Sequence, residues 1–209
     1  MNRASLHTHH LLLTYLVLML GLIALGLLFP ISFRATFTNP DFYIQAKFIH
    51  VVSVTLFFGN AVIGTFWETR SLLIGTPTIV RYTYQTVVWL DAVFTAPLIL
   101  LSVLSGILLG TTLGGVWSIG WLSIAFVTFL FCGVIWLAFD IPSQYKIKRL
   151  FLLLPSDAVD LPDDLKKVLW FRLKLNVFTL VPLLFIFYLM VHKPELKPIG
   201  EWFKFVATH

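Results

Sequence analysis

Five long apolar stretches separated by short polar segments dominate this sequence. A membrane-spanning helix needs about 20 predominantly apolar residues, and each stretch reaches that length. Charged residues form only 12% of the 209-residue chain, against ~25% in ordinary soluble domains. The pattern predicts an all-α, polytopic membrane protein in which residues 1–209 form a single membrane domain. The five predicted spans are residues 11–33, 42–67, 82–110, 116–139 and 168–191.

Such a chain has no room for a separate soluble catalytic domain, so any chemistry must lie between the helices or at their ends. Cys132 is the only cysteine, which excludes an internal disulfide and the zinc or iron–sulfur sites that need several thiolates. The net charge of +5 is read as a topology signal rather than as a surface for nucleic acid. The predicted partner is the lipid bilayer, and no nucleic-acid partner is expected.

Basic residues are distributed unequally between the two sides of the predicted membrane domain. Ten of the 15 Lys and Arg residues lie on the same side as the N-terminus, and such residues accumulate on the cytoplasmic side. We therefore predict a bacterial-type inner (plasma) membrane protein with a cytoplasmic N-terminus and a periplasmic C-terminus. The long cytoplasmic connection is residues 141–167, in which Pro162, Asp163 and Asp164 indicate the start of the next helix. Residues 192–209 are predicted to form an interfacial tail.

The faces along which membrane helices pack are marked by small and polar residues at helical spacing, because lipid provides no hydrophobic drive between helices. The second to fifth spans carry such faces, whereas the first span is aliphatic nearly all round. We expect spans two to five to form a four-helix core. The first span is then peripheral, or it forms a seam with a partner.

A layer of polar side chains is predicted inside the membrane near the cytoplasmic side. Asp91, Asn60 and Asn176 all lie at a depth of roughly 10–14 Å on the rise of a helix. A carboxylate at that depth needs a partner, so we predict an ion pair between Asp91 and either Arg172 or Lys174. The pair could fix helix register or form part of a proton route.

A second polar layer is predicted near the periplasmic side. His50 lies about 12 Å from the start of its span, with Lys47 one turn nearer the surface and Ser53 on the same helical face. Met190 and His192 approach the same layer from the end of the fifth span. A histidine here could bind a metal or could simply hydrogen-bond a neighbouring carbonyl or serine.

Three segments of the chain resemble a known clan of membrane proteins. A Lys-x-x-His opening of a helix, formed by Lys47 and His50, is followed by Gly59, and Asp91 with Pro97 continues the pattern in span three. In span four the pattern includes Gly120, Trp121, Leu122, Gly133, Trp136 and Leu137. These features are similar to the CopD/HemJ-like clan, and closest to an uncharacterised predicted integral-membrane family within it, over roughly residues 42–194.

The resemblance implies a helical bundle in which His50 binds haem b. The second axial ligand would be His192, Met190 or a residue of a partner chain. Ala125 stands where the HemJ-type protoporphyrinogen oxidases carry their catalytic lysine, so this sequence departs from that activity. No catalytic residue is identified, and any enzyme activity would be that of an oxidoreductase.

Three functions are compatible with these features. The leading hypothesis is a membrane-embedded b-type haem-binding redox protein that transfers electrons, with His50 as its metal ligand. The second is a non-enzymatic accessory subunit of a larger respiratory or photosynthetic membrane complex, or a homo-oligomer, which docks through the first span. The third is proton or metal transport through Asp91, Arg172 and Asp140.

Overall fold

The computed structural model describes residues 13–14, 16–18, 20–25, 28, 40–155 and 158–201, and nearly all of them are helical. This confirms the all-α, polytopic prediction, because four of the helices are long and apolar enough to cross a membrane. The described part of the first predicted span forms one shorter helix, and the rest of that span lies outside the described residues. The helices are α1 (Leu16–Leu25), α2 (Pro40–Ile74), α3 (Pro77–Thr112), α4 (Gly120–Leu153) and α5 (Asp163–His192).

Two of the long helices contain a widened, π-helical turn just before a proline. In α3 the turn is Asp91–Thr95 and Pro97 follows it; in α4 the turn is Trp136–Asp140 and Pro142 follows it. A proline inside a regular helix clashes with the preceding turn and lacks an N–H group. The wider turn relieves both problems, so the helix continues past the proline.

The continuation of α4 corrects the prediction for residues 141–167. That segment was predicted as a connection, but its first half is helical through Leu153. The predicted span ended at residue 139, but the π-helical turn there lets the helix continue past Pro142. The connection proper runs only from Leu154 to Pro162, and α5 begins at Asp163 as the acidic first turn predicted.

The packing of the long helices leaves one seam open. α2 packs along α3 and α5, and α4 packs along α5. Among the described residues, α3 and α4 approach each other less closely than these pairs do, and side chains of both helices meet in two apolar clusters. We call the end where α2 and α4 finish the basic end, because it carries Arg70, Arg81, Lys146, Lys148, Arg149, Lys166 and Lys167.

Two apolar clusters close the seam, one near each end. Ile23 of α1 belongs to the cluster towards the opposite end, so α1 packs at the edge of the four-helix core as predicted. The cluster at the basic end comprises Val80, Tyr84, Ile147, Phe151, Leu161, Leu165 and Leu169. The cluster towards the opposite end comprises Ile23, Val103 and Ile107, with Ile99, Phe126, Phe129 and Leu130 packed against it.

The described part of the tail folds back onto the start of α4. Lys193 adopts a left-handed conformation that ends α5, and the chain then runs without regular structure before a helical turn begins at Ile199. The Ile199 amide donates to the Ser123 hydroxyl at 3.2 Å. A side chain at Gly120 would collide with the Leu196 carbonyl, so glycine is required there. Residues 202–209 of the predicted interfacial tail lie outside the described residues.

The outer faces of the long helices carry large exposed apolar side chains. Phe66 is 73% exposed on α2, and Val191 is 74% exposed on α5. Side chains of this kind, spread over helices long enough to cross a bilayer, are covered by lipid. Contact with the lipid bilayer therefore follows from the fold.

Candidate functional site

A single arginine lies at the centre of the bundle among three carboxylates. The side chain of Arg172 is only 3% exposed. Its Nε donates a hydrogen bond to Asp140 Oδ1 at 2.9 Å, and its Nη1 donates to Glu68 Oε1. Its Nη2 lies 3.6 Å from Asp91 Oδ2. Each of the four long helices thus contributes one charged group to the cluster.

The two π-helical turns place two of the carboxylates. Asp91 is the first residue of the turn in α3, and Asp140 is the last residue of the turn in α4. A π-helical turn contains an extra residue, which rotates the side chains that follow it relative to those before it. Such turns are frequent at functional sites. The backbone irregularity and the charged cluster therefore coincide.

Two of the three carboxylates are fully hydrogen-bonded. Glu68 accepts from Arg172 and also from the side-chain amide of Asn176 at 3.1 Å. Asp140 accepts from Arg172 and from the side-chain amide of Gln144 at 2.7 Å. Their side chains are 9% and 6% exposed. These interactions match the rule that buried charges are paired and hydrogen-bonded.

The third carboxylate, Asp91, is less well compensated. It accepts a hydrogen bond of 3.4 Å from the hydroxyl of Thr95, which in turn accepts one of 2.8 Å from the side-chain amide of Asn60. Its 3.6 Å separation from Arg172 is beyond the usual range for a hydrogen bond of this kind. Its side chain is also the most exposed of the three, at 26%.

Asp91 is exposed to a cavity inside the bundle. The cavity has a volume of about 200 Å³ and lies between α2, α3, α4 and α5, with Leu16 of α1 in its wall. A space of this size, which has a mainly apolar wall and a few polar groups, can hold one small molecule or several waters beside the polar groups. Its polar wall is formed by Asn60, Asp91, Thr95, Asp140, Arg172 and Asn176, and its apolar wall includes Phe57, Ile99, Phe129 and Leu183.

The structure settles which basic residue meets Asp91. Arg172 faces the interior, whereas Lys174 is exposed on another face of α5. Asn60 and Asn176, predicted for the same polar layer, both line the cavity.

Glu68 was missed because it follows directly after residue 67, where the predicted second span ended. A signal was available, since Glu68 lies eight residues after Asn60, about two helical turns, and therefore on the same face of the helix.

His50 lies in a separate contact between α2 and α3. Its Nδ1 donates to the Ser102 carbonyl at 2.8 Å and lies 3.4 Å from the Ser105 hydroxyl. The ring packs directly on Gly106, where an added Cβ would be 2.9 Å from the imidazole Cε1. Ser53, on the same face of α2, is buried. The contact therefore includes the carbonyl hydrogen bond that was one of the two predicted roles for His50.

The other residues predicted around His50 are placed differently. Lys47 is exposed and Met190 is half-buried. His192 is exposed, with its Nδ1 3.2 Å from the carbonyl of Tyr188 on its own helix and its ring stacked on the Tyr188 ring at 4.3 Å. In the part of the chain that the structure describes, no group of three or more His, Cys, Asp or Glu side chains is arranged to hold a metal ion.

Comparison with known proteins identifies the family. No curated protein and no solved structure matches the chain. Residues 44–194 match the family model described as "Predicted integral membrane protein (DUF2269)". The match covers all four long helices except the first turn of α2 and includes every charged member of the cluster. The chain therefore belongs to the DUF2269 family of predicted integral membrane proteins.

Proposed function

We propose that the protein is a proton-coupled membrane protein in which the cluster around Arg172 binds and releases a proton inside the bilayer. The observation that carries this proposal is the position of Asp91. Its carboxylate faces the 200 Å³ cavity, while the hydrogen bonds of the guanidinium go to Glu68 and Asp140. Asp91 is therefore the group at which a proton is exchanged.

The charges of the cluster support the proposal. One guanidinium faces three carboxylates, so the cluster lacks positive charge if all of them are ionised. An uncompensated ion costs several kcal/mol in a protein interior. The charged and titratable groups that face one another come from every long helix: Glu68 from α2, Tyr84 and Asp91 from α3, Asp140 from α4 and Arg172 from α5. A proton from the cavity removes the excess negative charge. Unlike a metal ion, it does not need several coordinating ligands.

The cavity supports a coupled role rather than a purely structural one. Intramembrane ionisable residues commonly mark substrate paths and proton relays. Here the exchangeable carboxylate lines a space that also has a large apolar wall. That space is suited to a small molecule that is mainly apolar. Protonation of Asp91 would remove a negative charge from the wall that such a molecule contacts.

The test is infrared difference spectroscopy of the purified protein in lipid nanodiscs over a pH titration. A protonated carboxyl has a carbonyl stretch that is separate from the bands of ionised carboxylates. We expect a titrating band in the wild type that is lost in Asp91→Asn. The matched control is Asp163→Asn, an exposed carboxylate in the first turn of α5, which should keep the band. A wild type without the band, or an Asp91→Asn variant that retains it in full, would overturn the proposal.

A second candidate function is haem b binding at His50, as the resemblance to the CopD/HemJ-like clan implies. The hydrogen bond from Nδ1 to the Ser102 carbonyl supports it, because metal-ligating histidines usually donate their other ring nitrogen in this way and Nε2 keeps its lone pair. One imidazole ligand therefore fits. The 200 Å³ cavity is not lined by His50, which is why this function ranks second. Haem, when bound, would supply one-electron chemistry.

The haem proposal is tested by an absorbance and pyridine haemochrome spectrum of the purified protein. We expect a Soret band in the wild type that is lost in His50→Ala. Arg70→Ala, which alters an exposed side chain at the other end of α2, should leave the band unchanged. A wild type without a Soret band, purified from cells supplied with haem precursor, refutes haem binding and leaves the proton proposal untouched.

A further inference from the structure

We propose that Tyr84 positions a single water molecule beside Glu68, and that protons reach the cluster from the basic end through this water. The inference rests on the proton-binding function proposed above and adds the route. Two features of the molecule that do not involve Asp91 support this route. They are an unpartnered buried hydroxyl and a second, much smaller cavity.

The hydroxyl of Tyr84 is buried and has no hydrogen-bond partner. The whole residue is 6% exposed, and its ring packs under the guanidinium of Arg172 at 5.2 Å. Among the side chains that the structure describes, this is the one fully buried nitrogen or oxygen atom that lacks a partner. Leaving a buried hydroxyl unsatisfied is unfavourable, so the site calls for a small polar ligand.

The small cavity has the size that a water molecule needs, and its mainly apolar wall includes a few residues that carry polar groups. Its volume is about 10 Å³, close to the ~10–15 Å³ that one water requires. A buried water also needs two to four polar partners. The lining includes Tyr84, Glu68, Ser71 and Thr83, which offer three hydroxyls and one carboxylate.

The two cavities lie on opposite sides of the charged cluster. Arg172 lines both of them. Glu68 lines the small cavity, whereas Asp91 and Asp140 line the large one. The small cavity is the one nearer the basic end, because Ser71 lies within the last turn of α2. The cluster thus presents a carboxylate to each space.

A proton from solvent reaches Asp91 through the water in the small cavity and Glu68. The water in the small cavity accepts a proton that arrives from solvent at the basic end and passes one of its own protons to Glu68. The water is regenerated and Glu68 becomes neutral. Glu68 then releases the proton to a water molecule in the large cavity beside Asn176, and that water passes one of its own protons to Asp91, so Glu68 returns to its ionised form. Tyr84 holds the water of the small cavity in place and is unchanged, so it is a positioning residue.

Apolar side chains lie beside this route. Leu72, Val80 and Leu169 complete the wall of the small cavity, and Val80 and Leu169 belong to the cluster that closes the basic end. Apolar side chains therefore line the entry to the small cavity.

The test measures the rate at which the carboxyl band of the cluster appears after a rapid drop in pH. Tyr84→Phe keeps the ring over Arg172 and removes only the hydroxyl. We expect the same final amplitude of the band but a rate about 2- to 12-fold lower, because the net contribution of one hydrogen bond to the water corresponds to that range. Tyr188→Phe, an exposed tyrosine on α5, is the matched control and should show the wild-type rate.

A structural measurement keeps the inference testable if Tyr84→Phe does not fold. A high-resolution structure of the wild type should contain ordered water density within hydrogen-bond distance of the Tyr84 hydroxyl. Absence of that density, or an unchanged rate in Tyr84→Phe, overturns the inference and leaves proton binding at Asp91 standing. A wild type with no titrating carboxyl band overturns the proposed function instead, and the proton route with it.

Discussion

Replacing Arg172 by methionine removes the one positive charge of the cluster while keeping much of the side-chain volume. Glu68 and Asp140 each lose a charged hydrogen-bond donor, and Asp91 loses its nearest cation. Breaking a buried ion pair by removing one partner costs ~3–5 kcal/mol. For a chain of this length, 1 kcal/mol corresponds to a change in Tm of ~2–4 °C. We therefore expect Arg172→Met to lower Tm by at least about 6 °C.

The assay is thermal unfolding in one lipid nanodisc composition, followed by the fluorescence of the seven tryptophans. Lys174→Met is the matched control, because it removes a cation two residues away on an exposed face. Its effect should stay within ~0.5 kcal/mol, as for other surface substitutions. The triple variant Arg172→Met, Glu68→Gln, Asp140→Asn should recover most of the loss, since the two carboxylates that lost their donor are now neutral.

Three results would refute this reasoning. An Arg172→Met variant with a Tm within about 2 °C of the wild type would mean that the guanidinium does not offset the buried carboxylates. If Lys174→Met lowers Tm as much as Arg172→Met does, the loss of stability comes from the change in net charge at the basic end. Failure of the triple variant to recover would show that the guanidinium stabilises the bundle by packing rather than by charge.

Three further predictions concern contacts outside the cluster. Gly106→Ala should destabilise the protein by ~1–3 kcal/mol, because the added Cβ would press on His50 of α2. Gly59→Ala is the control and should be neutral or stabilising, because there is open space around Gly59. Equal Tm losses in the two variants would contradict this prediction. Gly120→Ala should release the folded-back tail and increase its cleavage by added protease, whereas unchanged cleavage would show that the tail is held elsewhere. Arg81→Met removes hydrogen bonds to the carbonyls of Phe151 and Leu154, so hydrogen exchange should rise in the last turn of α4 and nowhere else.

Much of the site could be reached from the sequence because charges are rare within membrane spans. Asp91 stands out for that reason, and its depth alone placed it in one layer with Asn60 and Asn176. Its need for a partner then pointed to Arg172 or Lys174. Glu68 was not predicted as a site residue, because the second span was predicted to end where hydropathy falls, one residue before it. A helix does not end where its apolar stretch ends, and α2 continues to Ile74.

The choice between Arg172 and Lys174 was beyond sequence reasoning. Residues two apart on a helix do not share a face, so only one of them could meet Asp91, but which one depends on how α5 is rotated against α2, α3 and α4. That rotation is set by packing between distant segments of the chain. The same holds for His50, whose carbonyl partner at Ser102 lies on another helix.

The sequence by itself determined the class of protein, the presence of long apolar helices and the rarity of charge between them, because hydropathy and helical period are local properties of the chain. The tertiary structure decided how the charges are grouped, that Asp91 is left facing a cavity and that a small second cavity lies beside Tyr84. It also decided that α4 passes Pro142 through a π-helical turn. These features depend on contacts between side chains of four helices that are distant in the sequence. Local sequence patterns do not predict such contacts.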